Sequence, residues 1–191
     1  MTTVVNLPNT LTLTRIALIP VFIMVYYLPW SWAHGAAAVI FFVASFTDWL
    51  DGYLARKLKQ LSPFGAFLDP VADKLLVASS LLILVGEHTI HWITLPAIVI
   101  VGREIVISGL REWMAELGRR ASVAVNFVGK IKTAAQMTSL LLLIAYQPGV
   151  EYFQFFGITL LYLAAILTIW SMVIYFMIAW RELTKKSESK C

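Results

Sequence analysis

The sequence from residue 48 to residue 73 reads DWLDGYLARKLKQLSPFGAFLDPVAD. Four aspartates interrupt this apolar region, and ionisable groups at membrane depth require a functional reason. They are Asp48, Asp51, Asp69 and Asp73. Spacings of three and four residues put each pair on one helix face, and the short connection makes the two helices antiparallel neighbours. The sequence therefore predicts that the four carboxylates converge.

A cluster of four carboxylates needs a compensating charge. Like charges about 4 Å apart repel by about 4 kcal/mol at an effective dielectric of 20, so uncompensated aspartates would destabilise the fold or bind protons. Divalent cations remove this repulsion. Oxygen ligands without nearby Cys or His suit Mg²⁺, Mn²⁺ or Ca²⁺ rather than zinc, and four carboxylates have room for two ions. Spacing alone also allows four isolated carboxylates at the membrane interface.

The composition around this stretch is that of a membrane protein. Hydrophobic residues make up 60% of the 191 residues and charged residues 14%, far from the average of a soluble domain. Apolar stretches lie near residues 16–30, 34–55, 70–86, 92–110, 133–147 and 153–180. We therefore predict an all-α membrane protein with six transmembrane helices. Residues 1–181 form its transmembrane domain with an N-terminal juxtamembrane segment, and residues 182–191 form a cytoplasmic tail.

The basic residues fall on one side of this predicted topology. They follow the second span, surround the connection between the fourth and fifth spans, and close the chain: Arg56, Lys57, Lys59, Arg111, Arg119, Arg120, Lys130, Lys132, Arg181, Lys185, Lys186 and Lys190. The three opposite loops lack Lys and Arg and carry His34, Glu87, His88, His91 and Glu151, of which the histidines are expected to be exterior polar groups. Because cytoplasmic loops hold an excess of Lys and Arg, both termini are predicted to be cytoplasmic.

Charge and cysteine content exclude several other classes. The net charge of +4 comes from bases scattered among apolar spans, which favours an anionic lipid surface as partner and argues against nucleic acid. The single cysteine, Cys191, excludes an internal disulfide framework and a cysteine metal cluster. Small residues at 33 and 35–38 would suit a cleaved signal, but the first span lacks the basic segment of a signal peptide.

The aspartates belong to a longer pattern. The chain matches D-x-x-D-G-x-x-A-R, eight residues, G-x-x-x-D-x-x-x-D at every fixed position from Asp48 to Asp73. Eight specified residues make a chance match very improbable. The pattern resembles the signature of the CDP-alcohol phosphotransferase family. This resemblance implies six transmembrane helices, a homodimer, and a metal site open to the cytoplasmic side of a bacterial inner membrane.

The resemblance also implies roles for the residues of the signature. The metal ligands would be Asp48, Asp51, Asp69 and Asp73, with Mg²⁺ or Mn²⁺ as the ion. Asp73 would in addition take the proton of the acceptor hydroxyl. The positions that hold the nucleotide of CDP-diacylglycerol would be Gly52, Arg56 and Gly65. The implied reaction is attack of an alcohol on the lipid-side phosphorus, with CMP as the leaving group.

Bases near the aspartates indicate the acceptor. Arg103 and Arg111 in the fourth span and Lys130 and Lys132 at the start of the fifth lie toward the same side. Arg111 shares a helix face with Glu104, so it can point toward an anionic acceptor. We assign acceptor binding to Arg111 and Lys130, and we expect Arg103 and Lys132 to be interface anchors or charge partners. Such bases favour a phosphorylated alcohol over choline, ethanolamine or serine, and glycerol 3-phosphate fits.

Further stretches resemble the branch of the family that uses glycerol 3-phosphate: residues 6–9, 11–15, 64–74, 103–104, 110–117 and 129–136. Pro8 and Asn9 suit a helix start, and Arg15 is expected to anchor that helix at the membrane interface, with a contact to a diphosphate as the alternative. Lys74 points about 100° away from Asp73 on its helix, so it need not enter the metal site, and we assign no role to it.

Two alternatives remain open. Within the family, the acceptor could be inositol phosphate or another phosphoalcohol. Outside it, intramembrane acids could belong to a divalent-cation transporter, whose site would lie near the middle of the bilayer. Arg56, a couple of turns beyond the first aspartates, puts the acids near one membrane face and disfavours transport.

Overall fold

The computed structural model describes residues 7–58, 63–87, 91–116, 127–147 and 151–188. Within these ranges six α-helices follow one another: α1 (Leu7–Tyr26), α2 (Ala33–Leu58), α3 (Pro63–Gly86), α4 (Thr94–Glu116), α5 (Phe127–Ile144) and α6 (Glu151–Glu188). A single 3-10 turn, His91–Ile93, precedes α4. The predicted all-helical architecture is confirmed for the described residues.

Two of these helices are long and apolar enough to cross a membrane, over Asn9–Tyr26 and Glu151–Met177. Shorter apolar segments occupy parts of α2 and α5. Large apolar side chains also cover the outer faces of the helices, among them Leu82, Ile98 and Phe155, each about two-thirds exposed. Soluble monomers rarely expose such continuous apolar surface. The helices are those of a membrane protein, and the count of six spans stays a prediction.

Several helices begin before the apolar stretch that predicted them. Helix α1 begins at Leu7, before the apolar stretch near residue 16, and α3 begins at Pro63, before the stretch near residue 70. The helix start predicted at Pro8 and Asn9 is confirmed. Proline suits the first turn of a helix because the N–H group that it lacks has no partner there in any case. Hydropathy alone finds only the most apolar part of a helix, so it missed the first turn of α3. Helix α6 likewise continues to Glu188, so the predicted tail is helical up to that residue.

The packing brings the polar helix ends together. Helix α1 packs on α2 and α3, α5 pairs with α6, and α4 lies mainly against α6. The core includes Phe22 and Phe41, whose ring centroids are 6.1 Å apart, together with buried Leu84, Ile100 and Leu140. This apolar centre holds the middle of the helices in contact. The signature aspartates and the bases of α4 and α5 then lie toward one end of the bundle.

The other end of the bundle is joined by polar contacts between loops and helices. The Tyr26 hydroxyl donates a hydrogen bond to the Glu87 carboxylate, and the Tyr26 ring meets the His34 ring edge-on at 4.7 Å. Gln147 Nε2 donates to the Ser31 carbonyl at 2.8 Å. His34, expected as an exterior polar group, is partly buried, and so is Glu87. Their contacts with Tyr26 connect α1 to the start of α2 and the end of α3.

Candidate active site

Helix α1 contributes a buried arginine to the aspartate site. Arg15 has no exposed surface, and its Nη1 donates to Asp48 Oδ1 and to Asp73 Oδ1 at 2.7 Å each. Asp48 comes from α2 and Asp73 from α3, so one nitrogen joins carboxylates of two helices. The prediction that Arg15 anchors its helix at the membrane interface is wrong. Its side chain points into the protein, where the two carboxylates compensate the cost of burying its charge.

A threonine of α1 contacts the third aspartate. Thr12 is buried, and its hydroxyl donates to Asp69 Oδ1 at 2.6 Å. Thr12 lies one turn before Arg15 on the same face of α1, as Asp69 lies one turn before Asp73 on α3. Three of the four signature aspartates therefore contact one face of α1. A sequence signal for this existed, since polar residues three apart inside an apolar helix face the protein interior.

The remaining signature residues are described less completely. Asp51, Gly52 and Arg56 lie in α2, but their side chains fall outside the described part of the structure. Gly65 is buried in the first turn of α3. Among the described side chains, no three acidic, His or Cys groups lie close enough together to hold a metal ion, and this set does not include Asp51. The metal and nucleotide roles of these residues stay predictions.

A cavity of about 510 Å³ adjoins the aspartates. We call it the charged cavity, because its lining includes Asp48, Asp73, Lys74, Glu104, Ser108 and Lys132. Lys74, for which no role was predicted, extends across from α3 to α4, where its Nζ donates to Ser108 Oγ at 2.5 Å. Ser108 Oγ in turn donates to the Glu104 carbonyl at 2.5 Å. The carboxylates and the Lys74 side chain therefore line one cavity.

The wall that α4 and α5 form carries a network of charges. Glu104 Oε1 accepts from Arg103 Nη1 at 2.8 Å and from Lys132 Nζ at 3.2 Å. Arg103 Nη2 also donates to Ser171 Oγ of α6 at 3.2 Å. Lys132 is only 5% exposed, and it lines the charged cavity. Of the two expectations for Arg103 and Lys132, charge pairing is confirmed. One carboxylate shared by two bases leaves this wall with positive charge in excess.

The two bases assigned to the acceptor lie elsewhere or are not described. Arg111 is exposed, and its Nη2 donates to the Tyr175 hydroxyl at 3.1 Å while its guanidinium lies 5.1 Å from the centre of the Tyr175 ring. Arg111 is not among the residues that line the charged cavity. The side chain of Lys130 lies outside the described residues. Acceptor binding by these two residues stays a prediction, whereas Lys132, two positions further on, lines the cavity.

Known proteins resemble this chain over most of its length. The family model of CDP-alcohol phosphatidyltransferase matches residues 5–180. The chain belongs to this family. The CDP-diacylglycerol–glycerol-3-phosphate 3-phosphatidyltransferase of Pseudomonas fluorescens is 54% identical to this chain, over 93% of the chain and 92% of the relative. Proteins of the same name from Yersinia enterocolitica and Escherichia coli strain K12 are each 52% identical, over 93% of this chain and 97% of the relative.

CDP-alcohol phosphatidyltransferases generally use divalent metal ions. The described aspartates supply the type of donor atom that such an ion requires. Asp48 Oδ1 and Asp73 Oδ1 each lie 2.7 Å from Arg15 Nη1, and Asp69 lies one turn from Asp73. Carboxylate oxygens are the ligands that Mg²⁺ and Mn²⁺ prefer. The meeting of α2 and α3 therefore supplies the donor type that the family's cofactor requires.

Proposed function

We propose that this chain transfers the phosphatidyl group of CDP-diacylglycerol to glycerol 3-phosphate, giving phosphatidylglycerophosphate and CMP. Three relatives with this activity in their names are 52–54% identical to it over nearly the full length of both chains. The structural observation that carries the proposal is the charged cavity. Its aspartates suit a metal-assisted phosphoryl transfer, and the lysines across from them suit a phosphorylated acceptor.

The donor would be held by the signature residues. Asp48, Asp51 and Asp69, completed by Asp73, would hold one or two Mg²⁺ or Mn²⁺ ions, whose chemistry is to neutralise charge on the pyrophosphate of the donor. Gly52 and Gly65 lack side chains and would leave space for the nucleotide, and Arg56 would bind phosphate oxygens through its planar guanidinium. The Thr12 and Arg15 contacts described above hold three of these carboxylates in fixed positions against α1.

Asp73 is the residue proposed to move the proton. It lines the charged cavity, so an acceptor bound there has its hydroxyl within reach of this carboxylate. As the hydroxyl oxygen forms a bond to the lipid-side phosphorus, its proton passes to Asp73. The bond between that phosphorus and the oxygen of CMP breaks, and CMP leaves with the electron pair. The acceptor attacks directly in this scheme, without a covalent enzyme intermediate.

The acceptor phosphate is proposed to lie at the lysine side of the cavity. Lys74 and Lys132 come from different helices and line the same space, and among the described residues Glu104 is the carboxylate that pairs with both Lys132 and Arg103. A phosphate there would make charge-assisted hydrogen bonds. Arg111, assigned to the acceptor from the sequence, is kept as a more distant contact on the approach to the cavity.

We further propose that all six helices span the membrane, with both termini on the cytoplasmic side, and that the protein is a homodimer. The distribution of Lys and Arg between alternate loops supports the orientation. The continuous apolar exposure on the outer helix faces supports a lipid environment for the whole bundle. The family resemblance supports the dimer.

Release of CMP by the purified protein in detergent tests the proposal. The assay contains CDP-diacylglycerol, Mg²⁺ or Mn²⁺, and one of four additions: glycerol 3-phosphate, inositol phosphate, serine or buffer. We expect metal-dependent release with glycerol 3-phosphate alone. Release with inositol phosphate instead would correct the acceptor and keep the reaction class. Folded protein that releases no CMP with any acceptor would refute the proposal and favour the transport alternative.

A further inference from the structure

The lining of the charged cavity has two levels. The upper level, at the end of the bundle that holds the aspartates, carries the charged side chains described above. The level one helical turn deeper, which we call the cavity floor, includes Val77 of α3, Val101 of α4 and Met137 of α5. Gln136 of α5 belongs to the same floor, one turn after Lys132. A polar amide therefore lies among apolar side chains at the bottom of the cavity.

The Gln136 side chain is almost completely buried, and the open space beside it is the charged cavity. The residue is 5% exposed, and it lines this cavity. Within the part of the chain that the structure describes, its amide has no hydrogen-bond partner. Neither polar atom of the amide is completely enclosed by protein. The amide is therefore accessible to a molecule that enters the cavity.

The other polar residues of the lining already have partners in the protein. Each makes a described hydrogen bond: Asp48, Asp73, Lys74, Glu104, Ser108, Lys132 and Thr133. Gln136 differs from them because both its carbonyl oxygen and its NH₂ group remain available. A buried amide without a partner costs free energy. This side chain therefore requires a polar group from the ligand of the cavity.

Glycerol 3-phosphate has a hydroxyl group that the proposed reaction does not use. With its phosphate at the lysines and its terminal hydroxyl at Asp73, the secondary hydroxyl lies on the carbon between them. Lys132 and Gln136 are four residues apart on α5, so they share a helix face and lie about 6 Å apart along the helix. A three-carbon acceptor bound at Lys132 is long enough to reach Gln136. Val77 and Val101 beside it offer the hydroxyl no hydrogen bond.

We propose that Gln136 recognises the acceptor by its secondary hydroxyl, through a hydrogen bond with the side-chain amide. The inference rests on the proposed function, which supplies glycerol 3-phosphate as the acceptor. The amide can accept from the hydroxyl through Oε1 or donate to it through Nε2. An acceptor without this hydroxyl leaves the buried amide unpaired, and sites of this kind discriminate against the analogue that lacks the group. Gln136 therefore selects a phosphorylated 1,2-diol, whereas the lysines select only the phosphate.

The test compares two glutamine-to-methionine variants with two acceptors. Gln136→Met keeps the length of the side chain and removes both polar groups, and Gln147→Met makes the same change at the other end of the bundle, outside the cavity. CMP release is measured at saturating CDP-diacylglycerol with glycerol 3-phosphate or with 3-hydroxypropyl phosphate, which lacks only the secondary hydroxyl.

We expect the wild type to favour glycerol 3-phosphate in kcat/KM by about tenfold to a hundredfold, the usual effect of an unpaired buried amide. Gln136→Met should favour it by about threefold or less, mainly because kcat/KM for glycerol 3-phosphate falls. The KM for CDP-diacylglycerol should change little, because the lost contact is with the acceptor. Gln147→Met should resemble the wild type with both acceptors.

The ratio of the two kcat/KM values does not depend on how much of a variant is folded, because unfolded protein turns over neither acceptor. A merely structural role for Gln136 would lower both values equally and keep the ratio of the wild type. That result would overturn the proposal, and so would a wild type that uses both acceptors equally well.

A second measurement does not depend on turnover. Binding of each acceptor to the protein in detergent with Mg²⁺ is measured by titration calorimetry without donor. We expect wild-type protein to bind glycerol 3-phosphate about tenfold or more tightly than 3-hydroxypropyl phosphate, and Gln136→Met to bind the two about equally. This pattern would support the hydroxyl contact even if the protein released no CMP, an outcome that would refute only the proposed reaction. No difference between the acceptors in the wild type would overturn the role of Gln136.

Discussion

Replacing Arg15 with glutamine should destabilise the protein and make it respond more strongly to divalent metal. The substitution removes two hydrogen bonds of 2.7 Å to Asp48 and Asp73. Hydrogen bonds to charged groups contribute about 1.5–3 kcal/mol each, which gives about 3–6 kcal/mol for the pair. The two carboxylates are 39% and 41% exposed, so hydrogen bonds to water replace part of this stabilisation. We therefore expect the free energy of unfolding to fall by about 3 kcal/mol. For a protein of this size, that lowers the unfolding midpoint by about 6–12 °C.

The response to metal follows from the same carboxylates. Without the guanidinium, Asp48 and Asp73 repel each other, because each oxygen lies 2.7 Å from the position that the cationic nitrogen occupied. Two carboxylate charges about 5 Å apart repel each other by about 3 kcal/mol at an effective dielectric of 20. A divalent ion bound by these oxygens restores that compensation. Added Mg²⁺ should therefore raise the unfolding midpoint of Arg15→Gln more than that of the wild type.

Arg111→Gln is the matched control, with the same change of side chain and charge. Arg111 is exposed, and its described contacts are the hydroxyl and the ring of Tyr175, so its loss should cost about 1 kcal/mol or less. The assay is thermal unfolding in detergent, with and without Mg²⁺. The reasoning fails if Arg15→Gln unfolds like the wild type, or if Mg²⁺ stabilises it less than it stabilises the wild type. It fails equally if Arg111→Gln gives the same response to metal.

Three other substitutions test separate parts of the molecule. Asp73→Asn should stay folded and keep nucleotide binding, with a lower unfolding midpoint because buried Arg15 loses one charged partner. Its kcat should fall by about 10²–10⁴, since it removes the proposed base; near wild-type CMP release would contradict that role. Lys132→Gln should raise the KM for glycerol 3-phosphate about tenfold or more while that for CDP-diacylglycerol changes little, and equal changes would exclude acceptor binding. Gly157→Ala should cost about 1–2 kcal/mol in unfolding measurements, because its Cβ would meet Leu143 at 2.7 Å, whereas Gly109→Ala has open space and should not destabilise.

The sequence was most informative where polar residues stand out against apolar surroundings. The signature indicates the family. Its spacing predicted that Asp48 of α2 and Asp73 of α3 approach each other, and their shared contact with Arg15 agrees with this prediction. The six helices also follow from hydropathy, apart from the first turns at Leu7 and Pro63. These turns contain residues that favour neither an apolar stretch nor a helix interior, such as Asn9 in α1 and Gly65 in α3.

The roles of individual bases could not be read from position in the same way. Arg15 and Arg111 both lie near predicted span ends, yet one is fully buried between carboxylates and the other is exposed beside a tyrosine. Lys74 is 100° away from Asp73 on an ideal helix, but its four-carbon chain is long enough to reach Ser108 on α4 and to line the charged cavity. Side-chain reach and the angles between helices decide these outcomes, and neither is encoded in the spacing of one helix.

The distribution of charge within the charged cavity gives a physical reason for choosing a phosphorylated acceptor. On the side away from the aspartates, Glu104 compensates Arg103 and Lys132 together, and the described contact of Lys74 is a neutral hydroxyl. An acceptor without a phosphate would displace water from this wall but bring no negative charge. The excess positive charge would then be partly dehydrated without an anionic partner, which costs free energy. A phosphate supplies that partner and directs the rest of a short acceptor toward Asp73. Selection for glycerol 3-phosphate over uncharged alcohols would then arise from the bases that the bundle already buries.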